Sequence, residues 1–166
     1  MQFSVGVEYS LHCLLYLVGK DENRSIGIKD LAAYQGVSES YLSKFFTKLK
    51  KSGIVSSVPG AKGGYKLAKE ASQITFWDVV EAIEGSDPMF NCSEVRQNEL
   101  LLDKSNLPDS HTKCPCLIHI VMLEAEDQMR NYLRSKTLQW LSDEVSDKVD
   151  ASHLLKTQEW FDRNLK

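Results

Sequence analysis

Between positions 36 and 67 the chain carries a run of local signals that leaves little freedom to its fold. Residues 28–35 place Leu31 and Ala32 on one helical face, and Gly36 stops that short helix. Ser38 then offers a capping oxygen to a second helix, with Glu39 near its positive end. The second helix reaches about Lys51, sets Leu42, Phe45, Phe46 and Leu49 toward a core, and ends at Gly53. Two helices joined by a tight glycine turn make a helix-turn-helix. Residues 54–58 read as a strand and 64–67 as its partner. The intervening Pro59-Gly60-Ala61-Lys62-Gly63 has the chemistry of a hairpin turn. The fold class expected is mainly α with a small β-hairpin wing: a winged helix-turn-helix domain plus a long dimerisation helix.

The flanking sequence extends this head. Residues 3–20 form a first helix on Val7, Leu11, Leu14, Leu15 and Val18, with Cys13 in its apolar stretch and Glu8 and His12 flanking the stripe. Thr75 and Asp78 have capping-box spacing before a helix with Phe76, Val79, Val80 and Ile83 inward, closed by Gly85. From 86 to 115 periodicity disappears, and Asp87-Pro88, Leu107-Pro108 and Cys114-Pro115-Cys116 are loop signals. A loop of that length is functional or mobile. Beyond it, Ile118, Val121, Met122, Ala125, Met129 and Leu133 mark a coiled-coil-like seam. The seam implies a homodimer, with packing back onto the same chain as the alternative. A further helix is expected over 137–145, and the tail ends on Trp160-Phe161. The divisions read are 1–85 for the winged head, 86–116 for a cysteine-containing sensor loop, and 117–166 for the dimerisation helix and tail.

The charge is asymmetric. The whole chain is −3, but residues 1–70 hold ten Lys and Arg against six Asp and Glu. Between 38 and 69 seven lysines face Glu39 alone. A basic head on an acidic chain points to a nucleic-acid face, with a solvated basic helix as the alternative reading of the charge alone. A helix fits the major groove with small polar residues of its first turn near base edges and lysines near phosphates. Ser38, Ser40, Tyr41, Ser43 and Lys44 are the candidates for the first role, Lys48 and Lys51 for the second, and Lys62 for a wing contact to the backbone. The expected partner is double-stranded operator DNA. No apolar run is long enough to span a membrane and no cationic leader opens the chain, so a cytoplasmic location is expected. Nucleophile elbows, phosphate loops and paired catalytic carboxylates are missing from the sequence, so an enzyme is not expected.

The stretches "GVSESYLSKFFTKLKKSGIVSSVPGAKGGYKLA" (36–68) and "ITFWDVVEAIEG" (74–85), with "FSVGVEYSLHCLLYL" at the start, strongly resemble the Rrf2 family of bacterial winged helix-turn-helix regulators. The resemblance runs from the N-terminus through the long helix. It implies a homodimer joined by that helix, which binds an operator through the recognition helix and wing. Many members sense through an iron–sulfur cluster on three loop cysteines. Here those are Cys92, Cys114 and Cys116, with twenty-one residues between the first two, a departure from the family spacing. Some redox-sensing relatives recruit a carboxylate and an imidazole of the first helix, positions matched by Glu8 and His12.

Three uses of the cysteines therefore stay open. One is a two-iron cluster on Cys114 and Cys116 with Glu8 and His12, the favoured cofactor, which a purified sample need not retain. Another is direct thiol oxidation, with any disulfide involving Cys92 because adjacent Cys-X-Cys pairing is strained. The third is zinc, with His111 or His119. The reading is a regulator, a repressor by expectation, gated by a redox or metal signal. Its rivals are an iron–sulfur redox protein without DNA binding, and a winged-helix regulator with a thiol or small-molecule switch.

Overall fold

The computed structural model describes residues 3–19, 25–60 and 63–164. The chain forms two compact units: residues up to 85 together with those from 133 onward, and residues 86–132.

In the first unit, α1 (Val5–Leu15), α2 (Ile28–Gln35) and α3 (Glu39–Lys51) precede the antiparallel strands β1 (Val55–Val58) and β2 (Gly64–Leu67), and α4 (Phe76–Glu84) follows. Gly36 ends α2 with φ 68°, a left-handed conformation that costs glycine least and turns the chain into α3. Ser38 caps α3, and Thr75 and Asp78 form the reciprocal capping box of α4. Each such cap contributes about 1 kcal/mol. The core joins Leu14, Leu31, Leu42, Phe46, Leu49, Ile54, Val79 and Ile83, all buried. Cys13 belongs to it, and burial pushes its thiol up to about 12, so it is an inert apolar filler. Phe45 and Phe76, expected inside, are only half-buried, whereas Trp77 is buried.

The tail behaves differently from the expected grouping with the long helix. Residues 133–164 belong to the compact unit of the head, through α7 (Leu138–Lys148) and α8 (Ala151–Asn164), the latter not anticipated. The reason is local pairing. The Phe76 amide donates to the Lys136 carbonyl at 2.8 Å, the Leu138 amide to that of Ile74 at 2.9 Å, and Leu138 is fully buried. Phe161 is also buried, against Tyr16 and Tyr34 with ring centroids 5.1 and 4.9 Å away.

The second unit holds a 3₁₀ turn over Val95–Asn98, the single-turn helix α5 (Asp109–Thr112) and most of α6 (Leu117–Arg134). Buried Glu126 of α6 accepts the Met89 amide at 3.0 Å and pairs with Arg130, tying the loop's start to the helix. Among the described residues no helix is long and apolar enough to cross a membrane.

Candidate nucleic-acid interface and sensor loop

The N-terminal turn of α3 presents the polar set expected to approach bases. Ser38 Oγ accepts the Tyr41 amide at 3.3 Å and lies 3.3 Å from Ser40 Oγ. Ser43 donates back to the Glu39 carbonyl at 2.7 Å. The Tyr41 ring is set edge-on between Tyr9 of α1, 5.9 Å away, and Phe45, 5.0 Å away, which orients it without hiding it. Lys44 and Lys51 are exposed on the same helix.

Lys48, exposed on the same helix, makes a further contact. Its ammonium donates to the Ile83 carbonyl at 2.6 Å, where cations meet the partial negative charge at the end of α4. The same contact fixes α3 against α4. Lys50, not anticipated, donates to Ser57 Oγ of β1 at 2.7 Å and links the recognition helix to the wing. Lys62 lies outside the described residues.

The wing is braced by a third extended segment. Ile26 and Tyr65 exchange amide–carbonyl hydrogen bonds of 3.0 and 2.8 Å. Gly64 makes that approach feasible: a Cβ there would stand 2.4 Å from the Ile26 carbonyl. The Tyr65 ring lies 4.8 Å from that of Phe46, so the strand is anchored on the core of α3.

In the second unit, Cys92 and Cys116 are brought together, while Cys114 is exposed. The Cys116 thiol is held below its ordinary range, first by the His119 amide and then by those of Ile118, the Cys92 thiol and the Arg96 charge, against partial desolvation. Arg96 organises the loop. It donates to Glu94 at 2.7 Å, to the Ser110 carbonyl at 2.9 Å and to the Cys114 carbonyl at 2.5 Å. Gln97 adds a bond to the His111 carbonyl at 2.7 Å.

The Cys116 thiol suits soft metal ligation, since a thiol biased toward thiolate is the form that binds iron. His119, one turn beyond Cys116, has a buried Nδ1 without a hydrogen-bond partner and stacks near Phe90. An orphaned imidazole nitrogen three residues after Cys116 fits a ligand-binding role. Among the described residues, however, no three His, Cys, Asp or Glu side chains are gathered as a metal site. The loop thus supplies a partial donor set. Glu8 and His12 are exposed on α1, in the first unit. Arg96 and Glu94 carry no sequence signal in an aperiodic stretch. His119 does, because a residue three after Cys116 shares its helical face.

On α6, Ile118, Val121, Met122 and Ala125 are exposed, Met129 and Leu133 half-buried. Leu117 is 76% and Val121 62% exposed, a contiguous apolar face on one helix.

The sequence matches the family described as Rrf2, iron-dependent transcriptional regulator, over residues 3–144. The chain belongs to the Rrf2 family of transcriptional regulators. It is 31% identical to the HTH-type transcriptional regulator NsrR of Geobacillus kaustophilus over 156 residues, covering 94% of this chain and 97% of that one. To the regulator IscR of Cronobacter sakazakii it is 30% identical, covering 92% and 88%. Among solved structures, IscR of T. potens superposes with a TM-score of 0.63 at 25% identity, over 91% and 93% of the two chains. The capped α3, the hairpin and its brace are thus the winged head of an Rrf2 regulator, and the protein is a DNA-binding transcriptional regulator rather than an enzyme.

Proposed function

We propose that this regulator is a homodimeric, cytoplasmic repressor whose operator binding is gated by a redox or iron–sulfur signal at the loop of residues 86–116. The observation that carries the DNA-binding part is the basic, capped α3 with Ser38, Ser40, Tyr41 and Lys44 outward and a wing fastened beside it. Phosphates would be met by Lys44, Lys51 and Lys62. Lys48 holds α3 in place through Ile83. Dimerisation would use the stripe of Ile118, Val121, Met122, Ala125, Met129 and Leu133, because an exposed apolar helix face of this size is costly in water. A twofold dimer suits a pseudo-palindromic operator with half-sites roughly one helical turn apart. A head seated there blocks other proteins, which is repression in its simplest form.

For the signal, the family's iron-dependent description supports iron at the loop. Cys92, Cys114 and Cys116 would hold it, completed by Glu8 and His12 across the dimer. The orphaned Nδ1 of His119 favours that imidazole as a further donor from the loop itself. A bound cluster would supply a one-electron redox response. The chain's own contribution is to hold Cys92 and Cys116 together with Arg96 and Glu94.

Lys44→Ala tests the interface. Against DNA selected from a random pool, it should weaken binding and lower the slope of log affinity against log salt by about 1. An unchanged slope removes Lys44 from the contact set, and a wild type without affinity for any selected duplex defeats the reading.

A further inference from the structure

The first unit contains a cavity of about 430 Å³ between α1, α2, α7 and α8, remote in kind from the thiol loop. Its volume lies in the range of small-molecule sites. Three rings form its floor. Tyr16 and Tyr34 lie 5.1 Å apart and edge-on, and Phe161 is within 5.1 Å of both. Trp160 backs Tyr34 at 5.0 Å. Polar groups also line it, including His12, Ser142, His153 and Gln158. Among the described residues no Asp, Glu, Lys or Arg lines it.

The polar floor groups are already oriented. Tyr34 shares a hydrogen bond of 2.6 Å with Thr157, and Gln35 donates to the Tyr16 hydroxyl at 3.1 Å. Rings fixed in this way offer stacking and edge contacts at little entropic cost. With no carboxylate, ammonium or guanidinium among the described lining residues, a charged ligand would lose hydration with little compensation. The complementary ligand is flat, aromatic and neutral, with a hydroxyl or carbonyl for the histidines and serine of the lining.

We infer that this cavity binds a small, uncharged, planar aromatic molecule carrying a hydroxyl or carbonyl group, and that its occupancy alters DNA affinity. The route is short. Tyr34 sits in the last turn of α2, next to the Gly36 turn that sets α3. Tyr16 caps α1, whose Tyr9 touches Tyr41 in the first turn of α3. A ligand that moves either tyrosine therefore acts on the two elements that place the recognition helix. This second half rests on the DNA-binding reading above; the existence of the site does not.

The probe is 1-naphthol, titrated calorimetrically into the full chain, with naphthalene-1-sulfonate and 1-naphthylmethylammonium as charged counterparts. One naphthol per chain is expected, with each charged analogue at least about tenfold weaker. Ser142→Phe, which fills the cavity, should weaken naphthol at least about tenfold. Ser146→Trp, on the exposed edge of the same wall, provides the same test should the first variant not fold. Saturating naphthol should change the affinity for selected duplex DNA about fivefold or more. Absent naphthol binding, equal binding of the charged analogues, or binding untouched by both filling variants overturns the site. Cavity-dependent binding with unchanged DNA affinity overturns the coupling alone. DNA binding missing even without probe defeats the regulator reading and leaves the site standing on calorimetry.

Discussion

Val121→Glu is expected to convert the protein to a monomer and to reduce its affinity for a two-half-site operator by about 100-fold or more. Val121 is 62% exposed on α6, beside Ile118 at 68% and Met122 at 42%. In the proposed dimer it is buried against a second copy. A glutamate there would lose its hydration and find no partner, at a cost of about 3–5 kcal/mol. The folded chain should tolerate it, because in a single copy the position already faces water. The two heads then bind separately, and the gain from linking them disappears. Light scattering should report a mass near 18.8 kDa for the variant against twice that for the wild type. An unchanged mass would remove the stripe from the interface.

The second large effect is on stability. Phe46→Ala should lower the unfolding free energy by about 3–5 kcal/mol, read as a fall in the urea midpoint at constant slope. Phe46 is fully buried, and its ring lies 4.8 Å from Tyr65 of the wing. Truncation leaves a void that helices anchored on both sides fill poorly. Phe45 provides an internal comparison. Its half-buried ring leans on Tyr41, so Phe45→Ala should cost less than half as much. Equal losses at the two positions would mean that the core is not built around Phe46.

Where signals were local, the sequence was sufficient. Gly36, the Ser38 cap, the Thr75–Asp78 box and the hairpin from Val55 to Leu67 each depend on neighbours within four residues or on one turn. That is why the winged head could be read directly. The misses share a different cause. Helix α8 is held by Phe161 and by a hydrogen bond between Thr157 and Tyr34, 123 residues away, and its own apolar positions are sparse. The basic character of its helix marks Lys48 as a candidate phosphate ligand, but the contact of its ammonium with the end of α4 is one no spacing reveals. In the loop, the three cysteines were visible by type, but their pairing was not. Arg96 brings distant carbonyls of Ser110 and Cys114 to one point, and that convergence sets which thiols meet. His12 is ambiguous for the same reason, since on α1 it is both an exposed side chain and part of the cavity lining.

If the loop thiols govern the DNA-binding head, operator affinity must differ between two states of the same protein. Binding of selected duplex DNA should be measured for anaerobically prepared, iron-replete protein and for the same sample after oxidation in air. A difference of roughly tenfold or more is expected, abolished in Cys92→Ser and in Cys116→Ser. Equal affinity in both states of the wild type would contradict it.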